Sequence, residues 1–574
     1  MSSADHRLDH DRQLLIDAQA RGTMTTLRAF IQLSGPGWLQ SAITLGGGSL
    51  AGALFLGVLG GTSLLWLQLV AIAMGVVMLS AISYVTLSTG ERPFRAIRDH
   101  INPVLAWGWV LATIAANMIW CMPQFSLCFE AIQKNLSAGD QIRDTNPYKY
   151  GLSGMFLLAA AVAVYLNGQQ GRAARVFDTF LKVLIGMIVL CFVGVVVLLT
   201  ANGQLNWAAI LRGFIPDLSQ WNEPTGSIAR LMSDLPSEAQ AFWKAKVVAS
   251  QSSVMIAAAA TAVGINMTFL MPYSLLKRGW DRTFRSMSRF DLATGMAIPY
   301  VAVTSCIVIA AATQFHGTAD DRFLNSDPAV MQTSPVFGSA AAMLKERVIP
   351  AEEFAKLTKA ERKEFSEEEL TRAAALPAAE KQIICSLIKR SAFDLASALE
   401  PLLGKQRSRY VFGLGILGMG FSTIIILMLI NGFAFCELLG KPLEGWPYIL
   451  GCLVAGCVGA SWPYFWDGDS KIYLSIIASS FGMMLLPIAY VTFFFMMNSR
   501  HVLGDAMPQG ISRLVWNLLM GVSVLGAIAA AGKAIADKAS HPAAGWIVVT
   551  LAIVFPAAVV VGFFFRRNTT SDAQ

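Results

Sequence analysis

The chain is a succession of apolar runs separated by short polar or charged stretches. Each run has about 20 residues, enough for a helix to cross a hydrocarbon core of roughly 30 Å. Taken in order they predict twelve spans, near 35–62, 64–88, 104–131, 151–167, 173–200, 247–276, 291–314, 409–436, 446–463, 471–497, 511–532 and 544–565. Two spans are interrupted from within. The first carries Leu45-Gly46-Gly47-Gly48-Ser49-Leu50 at its centre, although a glycine costs a helix interior about 1 kcal/mol against alanine. The sixth carries Met271-Pro272-Tyr273-Ser274. Pro272 has no amide hydrogen and clashes with the preceding turn, so the helix is expected to open there. Interruptions at matching places in two halves predict an inverted repeat with a solute site between them. Unwound backbone at that depth is tolerated only where it lines a cavity or is buried in protein.

Composition agrees with a polytopic α-helical membrane protein: 55% of residues are hydrophobic and 14% charged, against about 25% charged in soluble domains. The net charge of +7 is mostly a topology signal, and nucleic-acid binding is a poor reading of it. With the N-terminus inside, the inner segments hold 19 Lys and Arg and the short outer loops 6. That bias puts both termini in the cytoplasm and suggests a multi-pass protein of the cell (inner) membrane. The polar tail before Gly35 has no apolar stretch of the kind a cleavable signal needs.

The organisation expected is a cytoplasmic tail (1–34), a first transmembrane part (35–314), an extracytoplasmic helical insertion (315–408), a second transmembrane part (409–566) and a cytoplasmic tail (567–574). The insertion holds two capping boxes, Thr358-Lys359-Ala360-Glu361 and Ser366-Glu367-Glu368-Glu369. It reads as a small helical cap over the outer vestibule, or as a binding or gating lid. The loop 201–246, with Pro216, Pro224 and Pro236, reads as irregular. The eight cysteines form no CxxC pair, and the six histidines lie at ends or in loops. No nucleophile, base and orienting group are clustered, so the chain does not read as an enzyme, and no cofactor is expected.

These features resemble the Nramp (natural resistance-associated macrophage protein) family of divalent-metal transporters, with the inverted-repeat fold also seen in LeuT-type carriers. Gly35-Pro36-Gly37 opens span 1 as in that family, and Leu45 to Leu50 falls where its Asp-Pro-Gly-Asn motif stands. Met271-Pro272 falls on its Met-Pro-His motif. Arg285 to Asp291 resembles the basic loop and Asp before span 7, and Leu486-Pro487-Ile488-Ala489 with Asn498-Ser499-Arg500 resembles the end of span 10. The resemblance implies a fold of about twelve transmembrane helices, a 5+5 inverted repeat with broken helices 1 and 6. It also implies secondary-active divalent metal ion transport, symport included.

The departures fall on the family's metal ligands. By position its Asp becomes Gly46, its Asn Ser49, its span-10 Gln Ser479 and its His Tyr273; Met271 is the only retained ligand. No Asp or Glu lies between Asp17 and Glu91, or between Glu238 and Asp281. A partly dehydrated divalent cation wants hard ligands and compensating negative charge, so the substrate is expected to be altered. Bare amides at Gly46, Gly47 and Gly48 suit an anionic group. The alternatives are a small carboxylate-bearing or zwitterionic organic solute and a non-transporting membrane sensor. The expected site comprises Leu45, Gly46, Gly47, Gly48, Ser49, Thr268, Met271, Tyr273 and Ser479, with Trp120 as a pocket wall or a packing residue. Expected partners are the small solute or metal ion, a possible coupling ion and the lipid bilayer. The sequence does not speak to oligomeric state.

Overall fold

The computed structural model describes residues 3–136, 144–168, 172–358, 360–400, 404–466, 473–539 and 545–569. It is all-helical there. Ten helices are long and apolar enough to span a membrane. An eleventh span is the pair Pro36–Thr44 and Gly47–Gly60, bent by 53°, and the twelfth is the shorter Trp446–Ala460. Spans 1–5 and 6–10 are the two repeats, and each repeat opens on an interrupted helix.

The first half of span 1 is clasped at its start. The carboxylate of Asp291, in span 7, accepts the amides of Gly35 (3.2 Å) and Gly37 and the Ser34 hydroxyl. These are amides that a helix N-terminus leaves without intrahelical partners. A Cβ on Gly37 would lie 2.1 Å from the Asp291 carbonyl oxygen, so only glycine fits this approach. Lys182 adds a bond from span 5 to the Ser34 carbonyl (3.0 Å).

The sixth span breaks earlier than Pro272. Its halves are Ser237–Ala262 and Ile265–Lys277, joined through extended Val263 and Gly264, and Pro272 lies inside the second half. A proline removes one main-chain bond, which a packed membrane helix absorbs. The place of the break is set by packing instead. The Trp120 ring stands against Gly264, where a Cβ would come within 2.2 Å of it. The loop 201–246 is also more ordered than its prolines suggest. It forms helices Trp207–Arg212 and Gly226–Ser233, and span 6 already starts at Ser237.

That early start belongs to a cap. The extension of span 6 packs Trp243 and Val247 with Ile228, Phe323, Leu344 and Ile383 in a second hydrophobic core, separate from the transmembrane one. Both expected capping boxes close: Ser366 with Glu369, and Thr358 with Glu361. Inside the cap, buried Glu380 accepts from Arg347 (2.6 Å) and from the Trp243 indole (2.8 Å). Lys381, fully buried, donates to the carbonyls of Leu324, Asn325 and Ala374, and burial holds its ammonium below the usual lysine range.

His316, just past span 7, ties the cap to span 1. Its Nε2 accepts the Ser227 amide (2.9 Å), so its Nδ1 carries the proton donated to the Val58 carbonyl (3.0 Å). Burial holds the imidazole below its ordinary range, with Arg230 adding to the effect.

Two outcomes follow from these contacts. Glu380→Ala leaves Arg347 and Trp243 without their acceptor and should destabilise the cap by about 3 kcal/mol, the low end for a broken buried pair. Hydrogen exchange across 315–400 measures it. Protonated His316 cannot accept the Ser227 amide. Its folded pKa lies below the unfolded value near 6.5, so its contribution is complete above about pH 6.5 and is lost as pH falls through the folded value. Melting curves at descending pH should show this loss, and His316→Gln should abolish that component.

Candidate solute-binding site

The two breaks face one another across a cavity of about 30 Å³. Span 1 contributes Ile43, Gly46, Gly48 and Ser49, and span 6 contributes Thr261, Gly264 and Met267. Span 3 closes one side with Trp120, Pro123 and Gln124; Thr423 on span 8 and Ser475 and Ser479 on span 10 close the rest. The volume accommodates one or two water-sized particles.

The three glycines are explained by what stands beside them. A Cβ on Gly46 would lie 2.4 Å from Thr423 Oγ1, one on Gly47 2.8 Å from Leu127, and one on Gly48 2.9 Å from Thr261. Only glycine fits at these positions because side chains from spans 3, 6 and 8 lie directly against the backbone. Several freed main-chain groups are then satisfied by those neighbours. Gln124 Oε1 accepts the Gly47 amide (2.9 Å), and the Ser422 and Thr423 hydroxyls donate to the Ala42 carbonyl (2.9 and 3.2 Å). Ser49 Oγ turns back to the Thr44 carbonyl.

Three side-chain polar atoms beside the cavity have no hydrogen-bond partner among the described residues: Trp120 Nε1, Ser475 Oγ and Ser479 Oγ. The first is a donor only and the hydroxyls serve either way. No lining residue is ionisable. No group of three or more His, Cys, Asp or Glu that could hold a metal occurs among the described residues.

Of the residues expected here, Gly46, Gly48, Ser49 and Ser479 border the cavity, as does Trp120. Leu45 is the buried residue closing the first half-helix, and Gly47 takes part through its bonded amide. The other three lie elsewhere. Thr268 accepts from the Trp109 indole (3.0 Å) and donates to the Ile265 carbonyl. Tyr273 stacks on Phe269 at 4.4 Å within an aromatic group with Trp109 and Phe433. Met271 is buried in the second half of span 6, and Met267, one turn earlier, takes the cavity-facing place. Sequence reasoning does not single out Thr423. The pair Ser422-Thr423 inside an apolar helix is the signal that marks it.

A vestibule of about 1410 Å³ opens on the face that carries the N-terminal helices Ser3–Arg21 and Thr23–Leu33. Its inner end is apolar, with Leu39, Leu270, Met428 and Leu429. Leu39 borders the vestibule and Ile43, one turn on, the cavity, so about 6 Å of helix separates the two spaces. At the mouth, Arg12 of the N-terminal helix pairs with Asp281 of the span 6–7 loop (2.8 Å).

The family described as natural resistance-associated macrophage protein-like matches residues 37–345 and 370–532. The chain belongs to this family. A divalent metal cation transporter, MntH of Brucella suis biovar 1 (strain 1330), is 24% identical over 328 residues, which are 55% of this chain and 61% of that relative's length. Among solved structures, the Eremococcus coleocola manganese transporter with an aromatic bis-isothiourea compound aligns with a TM-score of 0.60 at 13% identity, covering 96% of both chains. A histidine-to-alanine mutant of that transporter gives 0.58 at 12%, covering 95% of both. These structures share the fold.

Membership gives the glycine at 46 a second aspect. It stands where the resemblance places the family's Asp, and the space beside it is filled by Thr423 rather than left open. Gly46→Ala should therefore lower stability by about 1–3 kcal/mol, as overpacking does. Adding Thr423→Ala should recover much of that loss, because Thr423 supplies two of the three nearest atoms. Unfolding of the two single variants and the double measures the coupling; additive losses would contradict the packing account.

Proposed function

We propose that this Nramp-family protein is a secondary-active transporter that moves a small solute by alternating access, with its binding centre between the two breaks. The observation that carries the reading is the small cavity among buried residues at the facing breaks, one helical turn from a wide vestibule. The excess of Lys and Arg in the segments on the vestibule side supports placing both termini, and the vestibule mouth, in the cytoplasm of a cell (inner) membrane. The protein is then in an inward-facing arrangement with the cap on the outer side.

The names of the relatives favour a divalent metal ion as the ancestral cargo. The chemistry of the cavity favours a changed one. A carboxylate about 4 Å from a divalent ion contributes on the order of 8 kcal/mol at an effective dielectric of 20, and none lines this cavity. Hydroxyls, an indole N–H, a thioether and main-chain groups remain. They suit a small carboxylate-bearing or zwitterionic solute once the cavity widens beyond the one or two waters it now accommodates. The acid then lies on the Trp120, Ser475 and Ser479 donors and the half-helix amides beyond Gly47, whose own amide Gln124 holds, and the amine on carbonyls at the ends of the preceding halves. The apolar inner vestibule also suits an organic molecule better than a hydrated cation. With no acidic residue between Asp17 and Glu91 or between Glu238 and Asp281, the reading includes no proton relay through side chains at the two breaks.

The test is uptake into proteoliposomes with a thermal-unfolding screen beside it. A ligand at a hundred times its Kd stabilises by about 2.7 kcal/mol. Glycine, alanine or a short-chain carboxylate should give such a shift and concentrative uptake, and Mn²⁺ at micromolar levels neither. Saturable micromolar Mn²⁺ uptake with no response to the organic panel would overturn the altered substrate while leaving the transporter reading intact.

A further inference from the structure

A second large space lies on the flank of the protein, remote from the vestibule. It is a slot of about 890 Å³ between spans 2, 6, 10 and 11. Small residues make its walls: exposed Ala245 and Ala249 on span 6, and Gly526, Ala527 and Ala530 on span 11. Apolar side chains of spans 2 and 10, among them Val70, Met74 and Leu486, make its floor. Charge occurs at one end only, where Lys244 and Lys533 stand with Asn222 and the indoles of Trp66 and Trp221. From Trp66 at the charged end to Met74, beside the Gly75 that Val263 touches, the floor of span 2 runs about 12 Å at 1.5 Å per residue, comparable with one leaflet of a hydrocarbon core of roughly 30 Å.

We propose that this slot is a binding site for one phospholipid, its phosphate at Lys244 and Lys533 and an acyl chain lying along the alanines toward Val263. An amphiphile with a single anionic end matches a trough that is apolar along its length and cationic at one tip. The indoles there match the interfacial belt where tryptophan collects. Each lysine already has a carboxylate neighbour, Glu223 for Lys244 (2.5 Å) and Asp537 for Lys533 (3.2 Å). All four groups are roughly half exposed. Such pairs contribute at most about 1 kcal/mol, and an ammonium has three donors, so both lysines retain capacity for phosphate oxygens. The inner end of the slot gives the lipid a consequence. Val263 is the extended residue of the span 6 break, and its methyl groups lie where a Cβ on Gly75 would be. A chain filling the slot buttresses that break from the membrane side.

Native mass spectrometry of the full chain released from detergent tests this, with phosphatidylglycerol, phosphatidylcholine and diacylglycerol of matched chains as probes. Both phospholipids should remain bound at one copy, and diacylglycerol, which lacks the phosphate, should be retained at least about tenfold less, the loss expected for charge-assisted bonds. Ala249→Trp fills the slot and should abolish retention of both phospholipids. The milder Ala249→Leu, checked for an unchanged melting temperature, should weaken retention in the same direction. The pair Lys244→Gln and Lys533→Gln should bring phospholipid retention down to the diacylglycerol level. Equal retention of diacylglycerol, phospholipid persisting in Ala249→Trp, or a doubled mass showing a second copy seated in the slot would each overturn the proposal.

Discussion

A main-chain amide or carbonyl set free at the centre of a bilayer has no water to turn to, and each one left alone costs several kcal/mol. Both interrupted spans exist under this constraint. Gln124 receives the Gly47 amide, Ser422 and Thr423 donate to the Ala42 carbonyl, and Asn266 Oδ1 accepts the Met267 amide. Spans 3 and 8 are therefore not passive walls. They supply the hydrogen bonds that make the breaks tolerable, and they fill the volume that the glycines leave. The solute cavity is the small remainder after these demands are met, and among the described residues its free side-chain donors are the ones the scaffold did not consume: Trp120 Nε1 and the hydroxyls of Ser475 and Ser479.

The missing carboxylate at the first break has a steric counterpart. Where a carboxylate would extend from residue 46, Thr423 is in contact with the backbone. Restoring the charge alone would collide with span 8, so a side chain at residue 46 requires a smaller one at 423. The same holds for Gly264 and Trp120, whose ring lies between Gly264 on span 6 and Gly482 on span 10. A large aromatic side chain at the centre is accommodated by glycines on both sides.

Much of this is legible in the sequence where one local cause is enough. Twelve apolar runs mark the spans, three consecutive glycines locate the first break, and two Ser/Thr-x-x-Glu patterns locate helix starts in the cap. What escapes has tertiary causes. Pro272 carries the strongest local signal for a break, yet the helix runs through it because losing one hydrogen bond is tolerable. The actual break at Val263 and Gly264 is set by a tryptophan more than 140 positions away in the chain. Met267 and Met271 share a face one turn apart, so motif position alone cannot choose which faces the cavity. Span 6 starts ten residues before the apolar pattern places it, at Ser237 rather than near 247. Glu238, Lys244 and Lys246 look like the polar end of an apolar run, but they belong to a helix whose apolar side packs on the cap.

The clasps also say what holds each half of span 1. The first half of span 1 is held at its start by Asp291 and Lys182, and at its end by the Ser422 and Thr423 bonds to Ala42. Its second half is held at the far end by His316 at the Val58 carbonyl. Between them lie Leu45 and Gly46, bridged by the Ser49 hydroxyl, which donates to the Thr44 carbonyl. The helix is thus divided at the glycines into two halves whose far ends are both held from span 7, the first through Asp291 at its start and the second through His316 just past its end. Span 7 is therefore the strut that fixes the distance between the two ends of the broken helix, so a displacement of either half is felt by the other through it.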